Sequence, residues 1–225
     1  MVSVKICGLQ TEEMAKQVAG LPVDYIGFVF ARSKRQVTPG QAAAMLRAIR
    51  TAEHRPQAVG VFVNPGLDEL EAVLREAALD VVQLHGQESP EFCRSVKKWF
   101  PGVKVFKVMA ISAAMSSENA TASVRGSLEP YRGLVDGMLL DTFDPMYGGG
   151  SGKTFAWETI PPYQQWCREA GIPLLVAGGL QPDNVRGLID RYAPDGVDVS
   201  SGVEVDGVKD IGKITTFVER VKSIV

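Results

Sequence analysis

The chain has 225 residues, 45% hydrophobic and 22% charged, with 24 basic against 26 acidic side chains and a formal net charge of −2. That balance is ordinary for a globular domain, and the scattered basic residues leave no electrostatic footprint for nucleic acid. No apolar run approaches the roughly 20 residues of a membrane helix, and the start MVSVKICG lacks the basic opening and apolar core of a signal peptide.

Short apolar, β-branched runs recur in order: VSVKI, YIGFVF, AVGVFV, DVVQL, VKVFKV, GMLL, PLLVA and GVDV. Helical periodicity fills the segments between them, among them TEEMAKQVAG, PGQAAAMLRAIR, GLDELEAVLREAA, SPEFCRSVKKWF, AWETIPPYQQWCREA and DNVRGLIDRY, and DIGKITTFVERVK follows the last run. Thr11, Ser89–Pro90–Glu91 and Pro182–Asp183 are helix-start signals. Alternating strand and helix argues for βαβ units and a parallel sheet. Eight units are the number that closes a (β/α)8 barrel, here a single α/β domain over residues 1–225. The fifth unit has no legible helix ends between Ser112 and Gly133. An open doubly wound sheet is the alternative, but its glycine-rich loop belongs after the first strand. Here the first strand runs into Cys7–Gly8–Leu9, and the glycine-rich signals come late.

In such a barrel the chemistry lies at the C-terminal ends of the strands. Cys7–Gly8 follows the first strand, and Arg32, Lys34 and Arg35 form a basic loop after the second. Asn64 follows the third, His85–Gly86 the fourth, and Lys107 lies near the end of the fifth. Asp141 ends the sixth strand; Gly178–Gly179 and Ser200–Ser201–Gly202 follow the seventh and eighth.

Cys93 and Cys167 fall within helical patterns and read as buried small hydrophobes. Cys7 reads either as a base or nucleophile at the mouth or as a packed core thiol. Asp141 is either a general acid kept protonated by partial burial or the cap of the next turn. His85 either contacts substrate or holds its loop, and His54 reads as solvated surface. The late glycine and serine turns can offer backbone N–H groups and hydroxyls to a phosphate. The segment GGGSGKT imitates a nucleotide loop but has Tyr147 where that motif needs glycine, so it reads as a glycine-rich loop that closes over the mouth.

Lys5 shares the facing of Cys7, and closure brings the first strand beside Asp198 on the eighth. A buried Lys5–Asp198 pair beneath the mouth is therefore expected, with a Lys5 side chain that snorkels to the rim as the alternative. Three cysteines without metal-ligand spacing point to reduced thiols in the cytoplasm, and no metal or cofactor is signalled.

The segments KICGL, GFVFARSKRQVTP, VGVFVN, VVQLHG, LLDT, GGSGKTFAW, LLVAGGLQPDNV and GVDVSSGVE resemble the phosphoribosylanthranilate isomerases of tryptophan biosynthesis, in that family's order. The resemblance implies an Amadori rearrangement of N-(5-phosphoribosyl)anthranilate. It implies Asp141 as general acid, Cys7 thiolate as general base and Arg35 as partner of the anthranilate carboxylate. It also implies a supporting role for His85, with Gly178, Gly179, Ser200, Ser201 and Gly202 around the phosphate. That chemistry asks for a thiol held below its ordinary pKa. The chain departs from the family pattern in Leu9–Gln10, in a third glycine at Gly148–Gly149–Gly150 and in Ala156. The expected partner is a small phosphorylated substrate, with neither nucleic acid nor membrane. A monomer is favoured, with a homodimer as the alternative.

Overall fold

The computed structural model describes residues 1–50, 52, 55–111, 120–142 and 154–223. Eight parallel strands close on themselves in chain order. They are β1 (Ser3–Cys7), β2 (Tyr25–Val29), β3 (Gln57–Phe62), β4 (Val81–Leu84), β5 (Lys104–Ile111), β6 (Gly137–Thr142), β7 (Leu174–Val176) and β8 (Gly196–Val199). Each is followed by a helix: α1 (Glu12–Ala19), α2 (Pro39–Ala48), α3 (Leu67–Glu76), α4 (Pro90–Trp99), α5 (Ala120–Leu128), α6 (Ile160–Ala170), α7 (Pro182–Tyr192) and α8 (Ile211–Lys222). The fifth helix, unplaced from sequence, is thus α5. His54 and residues 148–153 of GGGSGKT lie outside the described residues.

The expected start signals cap their helices. Thr11 accepts from the Met14 N–H and Ser89 from the Phe92 N–H, while Pro182 opens α7. Thr38 and Gln41 add a reciprocal capping box at α2.

Strand alternation sorts the core into two bodies. Outward residues such as Ile6, Ile26, Phe62, Leu84 and Met138 pack under the helices. Inward residues Val59, Val81, Phe106, Val108, Leu139, Leu175 and Ala177, with Tyr25 against them, fill the barrel interior. Above that apolar floor the inward positions turn polar: Lys5, Gln83, Asp141 and Asp198 are all buried. The floor is a packed plug, so only the top of the barrel is open to chemistry.

The even-numbered strands carry a repeated clamp at their starts. Asp24, Asp80, Asp136 and Asp195 stand immediately before β2, β4, β6 and β8. Each carboxylate accepts a backbone N–H from the preceding strand: Val4 at 2.7 Å, Ala58 at 2.7 Å, Val105 at 2.8 Å and Leu174 at 2.9 Å. The clamp satisfies a half-buried strand-start donor at the face remote from the mouth. Asp80→Ala should therefore cost about 1.5–3 kcal/mol, the usual worth of a hydrogen bond to a charged group, with activity at 25 °C retained. Urea unfolding monitored by fluorescence checks this; an unchanged midpoint would remove the clamp from the account of stability.

Candidate active site

Cys7 closes β1 and is buried at the base of one cavity at the top of the barrel. Its register partner on β2 is Gly27. A Cβ at Gly27 would stand 2.8 Å from Cys7 Sγ, closer than real Cβ contacts allow, and a tight 3.2 Å from Lys5 Nζ. The missing side chain is what seats the thiol and the ammonium against β2. The glycine interrupting YIGFVF is the sequence signal for this close approach.

The expected Lys5–Asp198 pair is present. The two are register partners across the β1–β8 seam, and Nζ donates to Asp198 Oδ1 at 3.1 Å. Lys5 is wholly buried, so it does not snorkel. Burial works against its charge, but the attraction of Asp198, with a smaller one from Cys7, outweighs it and holds the ammonium above its ordinary pKa.

The thiol does not behave as its expected chemistry asks. Burial pushes Cys7 above its ordinary value; Lys5 and Lys209 pull it down, while Asp198 pushes it up again. The cation beside the thiol is already shared with a carboxylate, so its pull is divided and desolvation wins. Cys93 and Cys167 are buried as expected, and burial raises them to about 11 and about 12.

Asp141 lies in β6, one residue before its end, and is buried. Its Oδ1 accepts from the Thr142 N–H at 2.7 Å. Its Oδ2 lies 3.3 Å from His85 Nε2, without the in-line approach of a hydrogen bond. His85 Nδ1 is 3.4 Å from Gln83 Nε2, so the amide and the carboxylate flank the imidazole on opposite sides. Gly178, with φ 83°, closes over this pair. A Cβ there would collide with Thr142 Oγ1 and stand 3.2 Å from Asp141 Oδ1.

The same cavity is lined by Arg35, His85, Gly178, Gly179, Ser200 and Ser201. Gly202 is not among its lining residues. It sits in the short 3-10 turn Ser201–Val203, where a Cβ would strike the Leu180 carbonyl, so it joins the turns after β7 and β8. Arg32 also lines the cavity, whereas Lys34 is exposed.

Asn64 follows β3 as expected, but Lys107 lies elsewhere than the sequence indicated. Lys107 falls mid-strand, between the inward Phe106 and Val108, and so points away from the barrel axis. It is buried in an ion pair with Glu88 at 3.0 Å. Glu88 also accepts N–H groups of Asn64 and Gly86 at 2.8 and 3.0 Å. Asn64 in turn accepts the Gln87 N–H at 2.7 Å. Asn64 and Lys107 thus brace the loop that carries His85 instead of lining the cavity.

A hairpin that the sequence did not reveal follows the last turn: β9 (Glu204–Val205) pairs with β10 (Val208–Lys209). It puts Glu204 against Arg35 and Lys209 against Ser200. Neither residue stands out by periodicity or spacing.

A closed (β/α)8 barrel with one polar cavity at the C-terminal ends of its strands has the layout of the enzymes built on this fold. Residues 4–220 match the family of N-(5'-phosphoribosyl)anthranilate (PRA) isomerase. An N-(5'-phosphoribosyl)anthranilate isomerase of Brevibacillus brevis is 46% identical over 99% of this chain and 95% of its own. The structure of phosphoribosyl anthranilate isomerase from Thermotoga maritima superposes with a TM-score of 0.81, at 36% identity and full coverage of both chains. Another such isomerase, solved in complex with reduced 1-(o-carboxyphenylamino)-1-deoxyribulose 5-phosphate, has a TM-score of 0.76 at 35% identity, again with full coverage of both chains. The chain belongs to the N-(5'-phosphoribosyl)anthranilate isomerase family, which serves tryptophan biosynthesis.

Proposed function

We propose that Asp141 and Cys7 are the acid and base with which this isomerase converts N-(5'-phosphoribosyl)anthranilate to 1-(2-carboxyphenylamino)-1-deoxyribulose 5-phosphate, within a single catalytic domain. The observation that carries the assignment is their convergence. They come from β1 and β6, 134 residues apart by their numbers (7 and 141), yet both line one cavity that also holds the late glycine–serine turns and Arg35.

Asp141 gives its proton to the ribose ring oxygen as the bond from C1 to that oxygen breaks. The nitrogen lone pair then forms the C1=N bond of a Schiff base. Cys7 as thiolate removes the C2 proton; the C2–H electron pair forms C1=C2 and the C1=N pair returns to nitrogen, giving an enolamine. Loss of the C2 hydroxyl proton and return of a proton to C1 yield the ketone. The turns at Gly178–Gly179 and Ser200–Ser201 hold the phosphate through backbone N–H groups and hydroxyls. Arg35 reads the anthranilate carboxylate, and His85 beside Asp141 supports the acid.

Turnover is tested by the loss of anthranilate-type fluorescence from substrate generated in situ. Absence of turnover by the wild-type chain would sink the assignment.

The raised thiol gives a further expected result. Iodoacetamide should alkylate Cys7 ever faster through pH 9, because the thiolate is the reactive form and its share grows until the pH passes the thiol's pKa. Peptide mass mapping across pH 6–10 follows the rate at each cysteine. A rate that levels off below pH 8 would mean a depressed thiol instead.

The protein works as a cytoplasmic monomer in this reading. Among the described residues the large exposed hydrophobics, Met1, Val63, Trp99, Val205 and Val208, are spread over four chain segments. Light scattering at micromolar concentration decides the oligomeric part.

A further inference from the structure

We propose that Glu204 sets the enzyme's preference for a carboxylate-bearing arylamine substrate, as a positioning residue acting through Arg35; this rests on the isomerase reading above. Arg35 Nε and Nη2 donate to Glu204 Oε1 and Oε2 at 2.6 and 2.9 Å, a two-point grip that fixes the guanidinium plane. Nη1 has no partner among the described residues. A guanidinium held by its Nε–Nη2 edge still has its Nη1–Nη2 edge to offer, the geometry for a second two-point bond to a carboxylate. Arg35 and Cys7 line the same cavity, so that bond would form beside the reacting carbon.

The grip is embedded in the site. Arg35 is buried, and its stem lies over Gly8, the residue after Cys7: a Cβ on Gly8 would come within 2.7 Å of Arg35 Cδ. Glu204 Oε1 also accepts from Lys209 Nζ at 2.6 Å. Lys209 donates in turn to the Ser200 carbonyl at 2.9 Å, and Ser200 Oγ donates to the Cys7 carbonyl at 3.1 Å. Burial opposes the Glu204 charge, but the bonds from Arg35 and Lys209 outweigh it and hold the carboxyl below its ordinary pKa. Two buried cations thus share one carboxylate, and the cluster keeps a net positive charge for an incoming anion. Lys34, at 3.9 Å and largely exposed, adds little.

Two opposed effects follow from neutralising Glu204. Arg35 loses its fixed orientation, which weakens recognition of the substrate carboxylate. The local positive charge grows, which attracts any anion, including the phosphate. Only the first discriminates between ligands with and without a carboxylate, so the ratio of two affinities isolates it.

The probes are reduced 1-(2-carboxyphenylamino)-1-deoxyribulose 5-phosphate and its phenylamino counterpart without the carboxyl group, each titrated calorimetrically into wild type, Glu204→Gln and Glu204→Asp. Wild type should prefer the carboxylated probe by about tenfold or more, as for a charge-assisted hydrogen bond. Glu204→Gln should lose most of that preference, with KM for substrate raised, kcat changed less than about threefold and the phenylamino affinity equal or better. Glu204→Asp keeps the charge at shorter reach and should fall between, which also covers a Glu204→Gln chain that does not fold. A preference unchanged in both variants, equal losses on both probes, or no preference in wild type would each overturn the role of Glu204. Wild-type turnover, measured alongside, tells such a failure apart from failure of the isomerase reading.

Discussion

Cys7→Ala and Asp141→Asn should each lower kcat by about 10²- to 10⁴-fold, the range general acid–base groups contribute, while substrate affinity moves only a few-fold. The split follows from the site's layout. The turns after β7 and β8 and the arginine on the β2 loop do not depend on either side chain for their place. Asparagine keeps the shape of Asp141 and can still accept the Thr142 N–H that Oδ1 receives at 2.7 Å. What it lacks is the proton for the ring oxygen. Alanine at Cys7 removes the base and leaves a small void beside Gly27. The double variant should be little worse than the worse single one, because acid and base serve one reaction coordinate and their losses are not additive. Steady-state fluorescence assays with calorimetric binding of the reduced product measure both quantities. Full activity in either variant would remove that residue from its assigned role, and a loss confined to KM would make it a binding group.

Lys5→Met should destabilise the fold by about 3–5 kcal/mol, the cost of stripping one partner from a buried ion pair. Asp198 would then be left with its charge in the barrel interior, where burial already pushes its pKa up. In a chain of this length that loss corresponds to a fall in Tm of roughly 10 °C. The double variant Lys5→Met, Asp198→Leu should recover most of the stability, because two apolar side chains remove the uncompensated charge. It should not recover activity, since Lys5 pulls the Cys7 thiol down by more than Asp198 pushes it up, and Lys209 alone remains to oppose burial. Urea unfolding of both variants, with activity on the folded double variant, separates the two roles of Lys5. A single variant as stable and active as wild type would end both.

Some of this was legible before any fold was seen, for reasons that can be named. Period-two apolar runs and capped helical segments are local signals, so all eight strands and the starts at Thr11, Ser89 and Pro182 lie where the chain indicated. The Lys5–Asp198 pair spans 193 residues, yet it was foreseeable because closure of the barrel forces the first strand against the last. The aspartates before β2, β4, β6 and β8 form a pattern in the chain whose role shows only once the strands are paired. Lys107 was misplaced because a strand's end decides which way its side chains point, and β5 runs on to Ile111.

The sequence by itself determined the alternation of elements, the barrel it implies and the residues set at its strand ends, since each of these depends on neighbours close in the chain or on one closure rule. Tertiary structure alone decided how those residues are wired. Arg35 meets Glu204 across 169 residues, through a hairpin with no periodic signature. The direction of the Cys7 shift is the net of burial, two cations and a carboxylate brought from β1, β8 and β10. Such a balance is a sum over distances in space, and no spacing along the chain encodes it.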